Sequence, residues 1–240
     1  DFDIADFHGG TRPNVIPQDA EAVIALSGSE VDGVVKALNE AADIIKSEYI
    51  ATDPDAHLTI KEVPSQKVLS REVSDGVINY LVTAPNGVNT FSKKIEGLVE
   101  SSTNIGAAIS SEDSFAFSSQ IRSDVETKIL EIAMKNRTAA EASGGVFEKL
   151  SAYKPWEYAE ESPLRDKAVK IWKDLTGEEP TVEMIHAGLE CGILQDSIGK
   201  MDMISIGPDM DGVHAPGENL SIQSTEKIFD YLLKLLELKG

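Results

Sequence analysis

Apolar and polar positions alternate from the first residues, with Phe2 and Ile4 set among Asp1, Asp3 and Asp6. That is the period of a half-buried strand. A turn-rich connection follows at His8-Gly9-Gly10-Thr11-Arg12-Pro13-Asn14. Ala22-Val23-Ile24-Ala25-Leu26 is a short apolar run between polar flanks and predicts a buried strand. Ser29-Glu30-Val31-Asp32 is an acidic variant of the capping box. It predicts a helix whose stripe is Val31, Val34, Val35, Leu38, Ala42, Ile45 and Tyr49. Leu58-Thr59-Ile60 predicts a strand. Val73, Val77, Tyr80, Leu81 and Ala84 give a second helical stripe, which Pro85 ends. Leu98 to Ile109 and Ser114 to Ile121 predict two strands joined by the polar turn 110–113. Ser123-Asp124-Val125-Glu126 has the full capping-box pattern, ahead of a helical face of Val125, Ile129, Ile132, Ala133 and Ala140.

Up to here the pattern is an α+β layer: an antiparallel sheet with helices on one face. The stretch from Gly144 to Tyr158 has few periodic residues, and a domain boundary is predicted there, dividing 1–150 from 151–240. Ser162-Pro163 places a cap before a proline at the first helical position. Leu164, Ala168, Ile171, Trp172 and Leu175 share one face, and Gly177 stops that helix. Met201 to Ile206 predicts a strand. Ile228, Leu232, Leu235 and Leu236 mark a last helix. This second part reads as part of an α/β sheet.

Composition narrows the function. The 240 residues carry 22 Lys+Arg against 41 Asp+Glu, a net charge of −19. Nucleic acid and anionic membrane surfaces reward clustered positive charge and are excluded as partners. Cys191 is the only cysteine, which excludes an intramolecular disulfide, a CxxC redox centre and a Cys-rich zinc site. No apolar run approaches the roughly 18 residues of a membrane span. The opening in mid-strand, without methionine, reads as a piece of a longer chain, with partner strands and active-site residues upstream.

Four histidines are present, His8, His57, His186 and His214, none of them in an HExxH pattern. No GxSxG elbow, GxGxxG or P-loop occurs. Cys191 without a placed base reads as a small core residue. Two segments stand out. Ile185 to Gly192 packs a His, a Glu and two glycines into eight residues, and small residues permit close approach of backbone to a ligand. Ordinary turn chemistry is the stronger reading there on spacing alone. Ser205 to Glu218 is a loop after a predicted strand, with glycines, prolines, His214 and three carboxylates. Ligands gather at the carboxyl ends of strands in α/β folds, and a neutral imidazole there suits a divalent metal. A turn-rich surface loop explains this second segment equally well.

Several motifs, in order, carry a family likeness. They are Gly9-Gly10 with Asn14-Val15-Ile16-Pro17; Ala84-Pro85-Asn86-Gly87-Val88; Val99-Glu100-Ser101-Ser102-Thr103-Asn104-Ile105-Gly106; Ile121-Arg122-Ser123; Ile185 to Gly192; and Ser205 to Glu218. Tyr153-Lys154-Pro155-Trp156 is a looser match. On these the chain resembles the carboxyl-terminal portion of the aminoacyl-histidine (Xaa-His) dipeptidases, cytosolic enzymes of the dinuclear-zinc carboxypeptidase/aminoacylase superfamily. The resemblance implies that 1–150 is a lid domain and 151–240 the C-terminal part of an α/β zinc-peptidase catalytic domain. It implies a dipeptide substrate, two zinc ions (or other divalent metals) per site, a cytoplasmic location and a homo-oligomer formed through the lid.

It also implies roles. His214 matches a terminal zinc ligand, where the bland alternative is a solvated turn histidine. Asn14 would polarise the scissile carbonyl, against a turn residue after Pro13. Arg122 would grip the substrate carboxylate, against a solvated arginine beside a helix cap. Gly188 and Glu190 would shape the substrate pocket, against plain packing and a structural carboxylate. The family's remaining metal ligands and its catalytic glutamate have no counterpart in these residues, so the chain alone is expected to be inactive. Two other readings stay open. One is a non-catalytic lid or dimerisation module; the other is a related aminoacylase or carboxypeptidase.

Overall fold

A computed structural model describes residues 2–93, 95–111, 114–152, 154–184, 190–213 and 217–238. Strand β1 (Phe2–Gly10) pairs antiparallel with β2 (Ala20–Leu26), from Phe2 opposite Leu26 to Gly9 opposite Ala20. Helices α1 (Val31–Tyr49) and α2 (Arg71–Thr83) follow, then β3 (Gly87–Phe91), β4 (Val99–Ser110), β5 (Phe115–Ser123) and α3 (Glu126–Ala142). The five strands form one sheet in the order β2-β1-β4-β3, with β5 also paired to β4. At twelve residues, β4 is long enough to take β1 near its end, Gly9 opposite Ala108 and Gly10 opposite Ala107. The α+β layer expected from the periodicity is present.

The chain divides into two compact units that interleave in sequence. The first takes Asp1–Gly87, Thr103–Ile121 and Glu131–Glu148; the second takes Val88–Ser102, Arg122–Leu130 and Lys149–Gly240.

In the first unit a bulge between Ile4 and Asp6 shifts the alternation of β1 by one residue. Phe7, not Asp6, then follows buried Ile4 onto the apolar face. There Phe7 meets Phe115 and Phe117, and Tyr80 of α2 stacks on Phe117 with centroids 4.6 Å apart. Burial pushes the Tyr80 phenol up in pKa. Its hydroxyl reaches Asn136 of α3 at 3.4 Å, so both helices meet on this side of the sheet. Ser74 of α2, fully buried, accepts from the Ile4 amide at 3.1 Å. Ile132 of α3 is fully buried.

The second unit holds α4 (Pro163–Thr176), α5 (Glu190–Ile198), the two-residue strands β6 (Met210–Asp211) and β7 (Asn219–Leu220), and α6 (Ile222–Leu236). Ser162 caps α4 by accepting from Arg165 N at 3.1 Å, and Gly177 ends it with φ of 75°. The sequence signals for this helix are met at both ends. Trp172 of α4 meets Tyr231 of α6 edge to face at 5.2 Å.

Five local expectations need correction. Strand β2 forms over the apolar run 22–26, but none of its residues is buried. Glu30, not Ser29, is the residue before α1, and no side chain caps that helix; Glu30 instead accepts from Ser27 Oγ at 2.6 Å. Ser123 ends strand β5, and α3 begins only at Glu126. Its hydroxyl accepts from Val125 N at 3.0 Å while donating to the Glu100 carbonyl at 2.8 Å, a tertiary bond that holds it in the strand. Residues 58–60 and 201–206 run irregular, with no partner strand among the described residues.

Candidate active site

Asn14 lies in the first unit, in the loop between β1 and β2. The loop departs from the strand at Gly10, whose φ of 63° is left-handed and favours glycine. Val15 N donates back to Arg12 O at 3.2 Å, closing a tight turn around Pro13 and Asn14. Asn14 is exposed at the surface of that turn. The turn is held from the sheet. Asn104 Nδ2 of β4 donates to Pro13 O at 3.1 Å and to Val15 O at 2.7 Å.

On β1, ahead of that loop, lies a polar cluster. His8 Nδ1 is 3.2 Å from Asp6 Oδ2 and His8 Nε2 is 3.9 Å from Glu21. Ser110 Oγ donates to the other Asp6 oxygen. The Ser110 hydroxyl first, and the His8 ring after it, hold the Asp6 carboxyl below its ordinary pKa, with burial opposing them. The serine here bonds the carboxylate and not the imidazole, so the trio lacks the geometry of an activated nucleophile. His57 is exposed, with Nδ1 2.9 Å from Asp55 O.

Arg122 lies in the second unit, the penultimate residue of β5 and half-buried. Glu190 is the first residue of α5 and exposed. A carboxylate in a first helical turn is favoured by the helix dipole, so its place has a structural cause independent of any substrate. Cys191 beside it has its thiol pKa raised by burial and then by the Glu190 charge. A reactive cysteine needs the opposite shift, so Cys191 keeps its reading as a packing residue.

Gly192 is buried against backbone. A Cβ there would come within 3.3 Å of the Pro155 carbonyl carbon, beyond a still closer meeting with the Lys154 oxygen. The close approach expected of this glycine is thus to the chain itself. An ion pair between Lys154 and Asp196, 3.2 Å apart, ties the same two segments. His214 and Gly188, and His186 with them, lie outside the described residues. Strands β6 and β7 pair Met210 with Leu220 and Asp211 with Asn219, before and after His214 in sequence. Among the described residues no group of three His, Cys, Asp or Glu side chains is arranged to hold a metal ion. No helix among them is long and apolar enough to cross a membrane.

Sequence reasoning quotes Asn104 as one position of a strand and of a family motif but gives it no role. Its contacts span about ninety positions, and no local signal reports them.

No family model matches the chain. Over 238 residues it is 31% identical to the cytosol non-specific dipeptidase of Escherichia coli (strain K12), covering 99% of this chain and 49% of that protein. The crystal structure of aminoacylhistidine dipeptidase from Vibrio alginolyticus superposes with a TM-score of 0.86 at 27% identity, over 98% of this chain and 48% of that one. The chain therefore spans about half the length of the relatives it matches. The resemblance to the aminoacyl-histidine dipeptidases holds along the whole chain, which corresponds in sequence and fold to about half of such a dipeptidase.

Proposed function

We propose that this chain is part of a metal-dependent dipeptidase acting on Xaa-His-type dipeptides, in which residues 1–150 form a lid and 151–240 the C-terminal part of the catalytic domain. What supports the reading is the match to two dipeptidases over nearly every residue of the chain. The enzyme is taken to be cytoplasmic and to associate with itself through the lid.

Zinc is the proposed metal, with His214 as the ligand this chain supplies. A zinc ion wants about four donors, and the described residues offer no group of three arranged to hold a metal ion. They do not make a zinc site by themselves. In this reading the other donors and the general base belong to sequence outside these 240 residues.

The chain's own residues bind and orient. The Asn14 amide would donate to the scissile carbonyl oxygen as charge develops on it, the kind of contact whose removal costs a factor of about 10² to 10³ in rate. The Arg122 guanidinium would hold the substrate carboxylate at two points. Gly188 and Glu190 would shape the pocket. Closure of the lid would exclude water.

The test compares the longer protein with the 240-residue chain on Xaa-His and other dipeptides. Hydrolysis by the longer protein is expected, sensitive to chelation and lost in His214→Ala. The 240-residue chain is expected to leave dipeptides intact. Turnover by the short chain, or full activity in His214→Ala, overturns the reading.

A further inference from the structure

Asn104 is half-buried in β4, and both protons of its side-chain amide are engaged. One goes to the carbonyl of Pro13 at 3.1 Å and the other to that of Val15 at 2.7 Å. An asparagine amide nitrogen has two protons and no more to donate. The two acceptors are the carbonyls of the residues immediately before and after Asn14. A single planar group thus fixes the chain on both sides of that residue.

The surroundings leave the loop little room to shift. Gly106, two residues further along β4, is buried where a Cβ would fall within 2.6 Å of Pro13 Cα. The Ile105 amide between them donates to Asn86 Oδ1 at 2.8 Å, anchoring this part of β4 from a second side. Gly10 meets the Gly106 carbonyl where any side chain would collide.

We propose that Asn104 is a positioning residue for Asn14: it does not touch substrate but sets the backbone from which the Asn14 amide reaches the reacting carbonyl. This rests on the carbonyl-polarising role proposed for Asn14. Misplacing a reacting contact by about 1 Å can cost on the order of a hundredfold in rate, and without Asn104 the turn loses both bonds that tie it to β4 at Pro13 and Val15.

The test is a double-mutant cycle in the longer protein. Asn104→Asp keeps the side-chain shape but turns two donors into acceptors that face two carbonyl oxygens. It is expected to lower kcat roughly ten- to a hundredfold with KM little changed, and Asn104→Gln to recover part of the loss. In an Asn14→Ala background, Asn104→Asp is expected to cost nothing further, since it acts only through Asn14. A purely structural role would lower activity in both backgrounds alike, and additive losses overturn the proposal. If Asn104→Asp fails to fold, Asn104→Ala is carried through the same cycle. A normal kcat in Asn14→Ala removes the role of Asn14 and this one with it. A reduced kcat there beside an unchanged kcat in the Asn104 variants removes the positioning role alone.

Discussion

The hydroxyl of Ser123 donates to the carbonyl oxygen of Glu100 at 2.8 Å. Its own oxygen accepts from Val125 N at 3.0 Å, so one side chain closes the end of β5 and meets the backbone ahead of α3. Ser123 is only 6% exposed. Ser123→Ala removes both bonds and leaves two half-buried backbone groups without them. Such a loss costs about 1–3 kcal/mol, and urea unfolding of the 240-residue chain should show a lower midpoint with an unchanged slope.

Arg122 directly precedes that serine. In the longer protein, Arg122→Ala is expected to raise KM about ten- to a hundredfold, the equivalent of a charge-assisted contact of roughly 1.5–3 kcal/mol. Arg122→Lys should recover only part, because an ammonium lacks the planar two-point grip. Steady-state kinetics on Xaa-His dipeptides decide it; an unchanged kcat/KM in Arg122→Ala leaves the residue as a structural arginine at the end of β5.

Ser162 ties α4 to Asp202. Its hydroxyl donates to Asp202 Oδ1 at 2.5 Å, and Leu164 N donates to Oδ2 at 2.8 Å. The Ser162 hydroxyl first, and the Leu164 amide second, hold the Asp202 carboxyl below its ordinary pKa. A folded pKa below the unfolded one adds stability that is present above the unfolded carboxylate range, about pH 4. It is lost as pH falls through the folded value. Asp202→Asn should therefore flatten the acid side of the stability profile, and thermal unfolding between neutral pH and about pH 3 reads the change. Ser162→Ala should cost about 1 kcal/mol as the loss of a helix cap.

Ile132 is fully buried in α3. Ile132→Ala should lower the stability of the chain by about 2–5 kcal/mol, while Ile132→Val should cost about 1 kcal/mol. Denaturant unfolding of the two variants side by side gives the ratio.

Elements with local causes are legible in the sequence, and those with distant causes are not. Helix α4 is readable at both ends because Ser162, Pro163 and Gly177 act within one turn of their own positions. Ser123 carries the same kind of signal, yet Glu100 lies 23 positions back and captures the hydroxyl. Residues 58–60 look like a strand, but a strand needs a neighbour to bond. Strand β3 is only five residues and begins on a glycine, leaving too short a pattern to read. Helix α5 is nine residues long with Gly192 inside it, which weakens its helical signal. The motifs single out Asn14 and Arg122 in the sequence, whereas the hold of Asn104 on the Asn14 turn depends on how β4 is placed beside the loop.

Helix α1 runs for 19 residues and buries none of its side chains; Ile44 is 59% exposed and Ile45 53%. Gly33 in its first turn costs about 1 kcal/mol against alanine, and no side chain caps its start. The helix is therefore held chiefly by its own backbone bonds and can open without disturbing the packing around Ile132. Opening of this kind draws on a free energy of its own, well below that of global unfolding. Backbone amides across 31–49 should exchange with solvent ahead of those in β4, and a protease added to the native chain should make its first cut here.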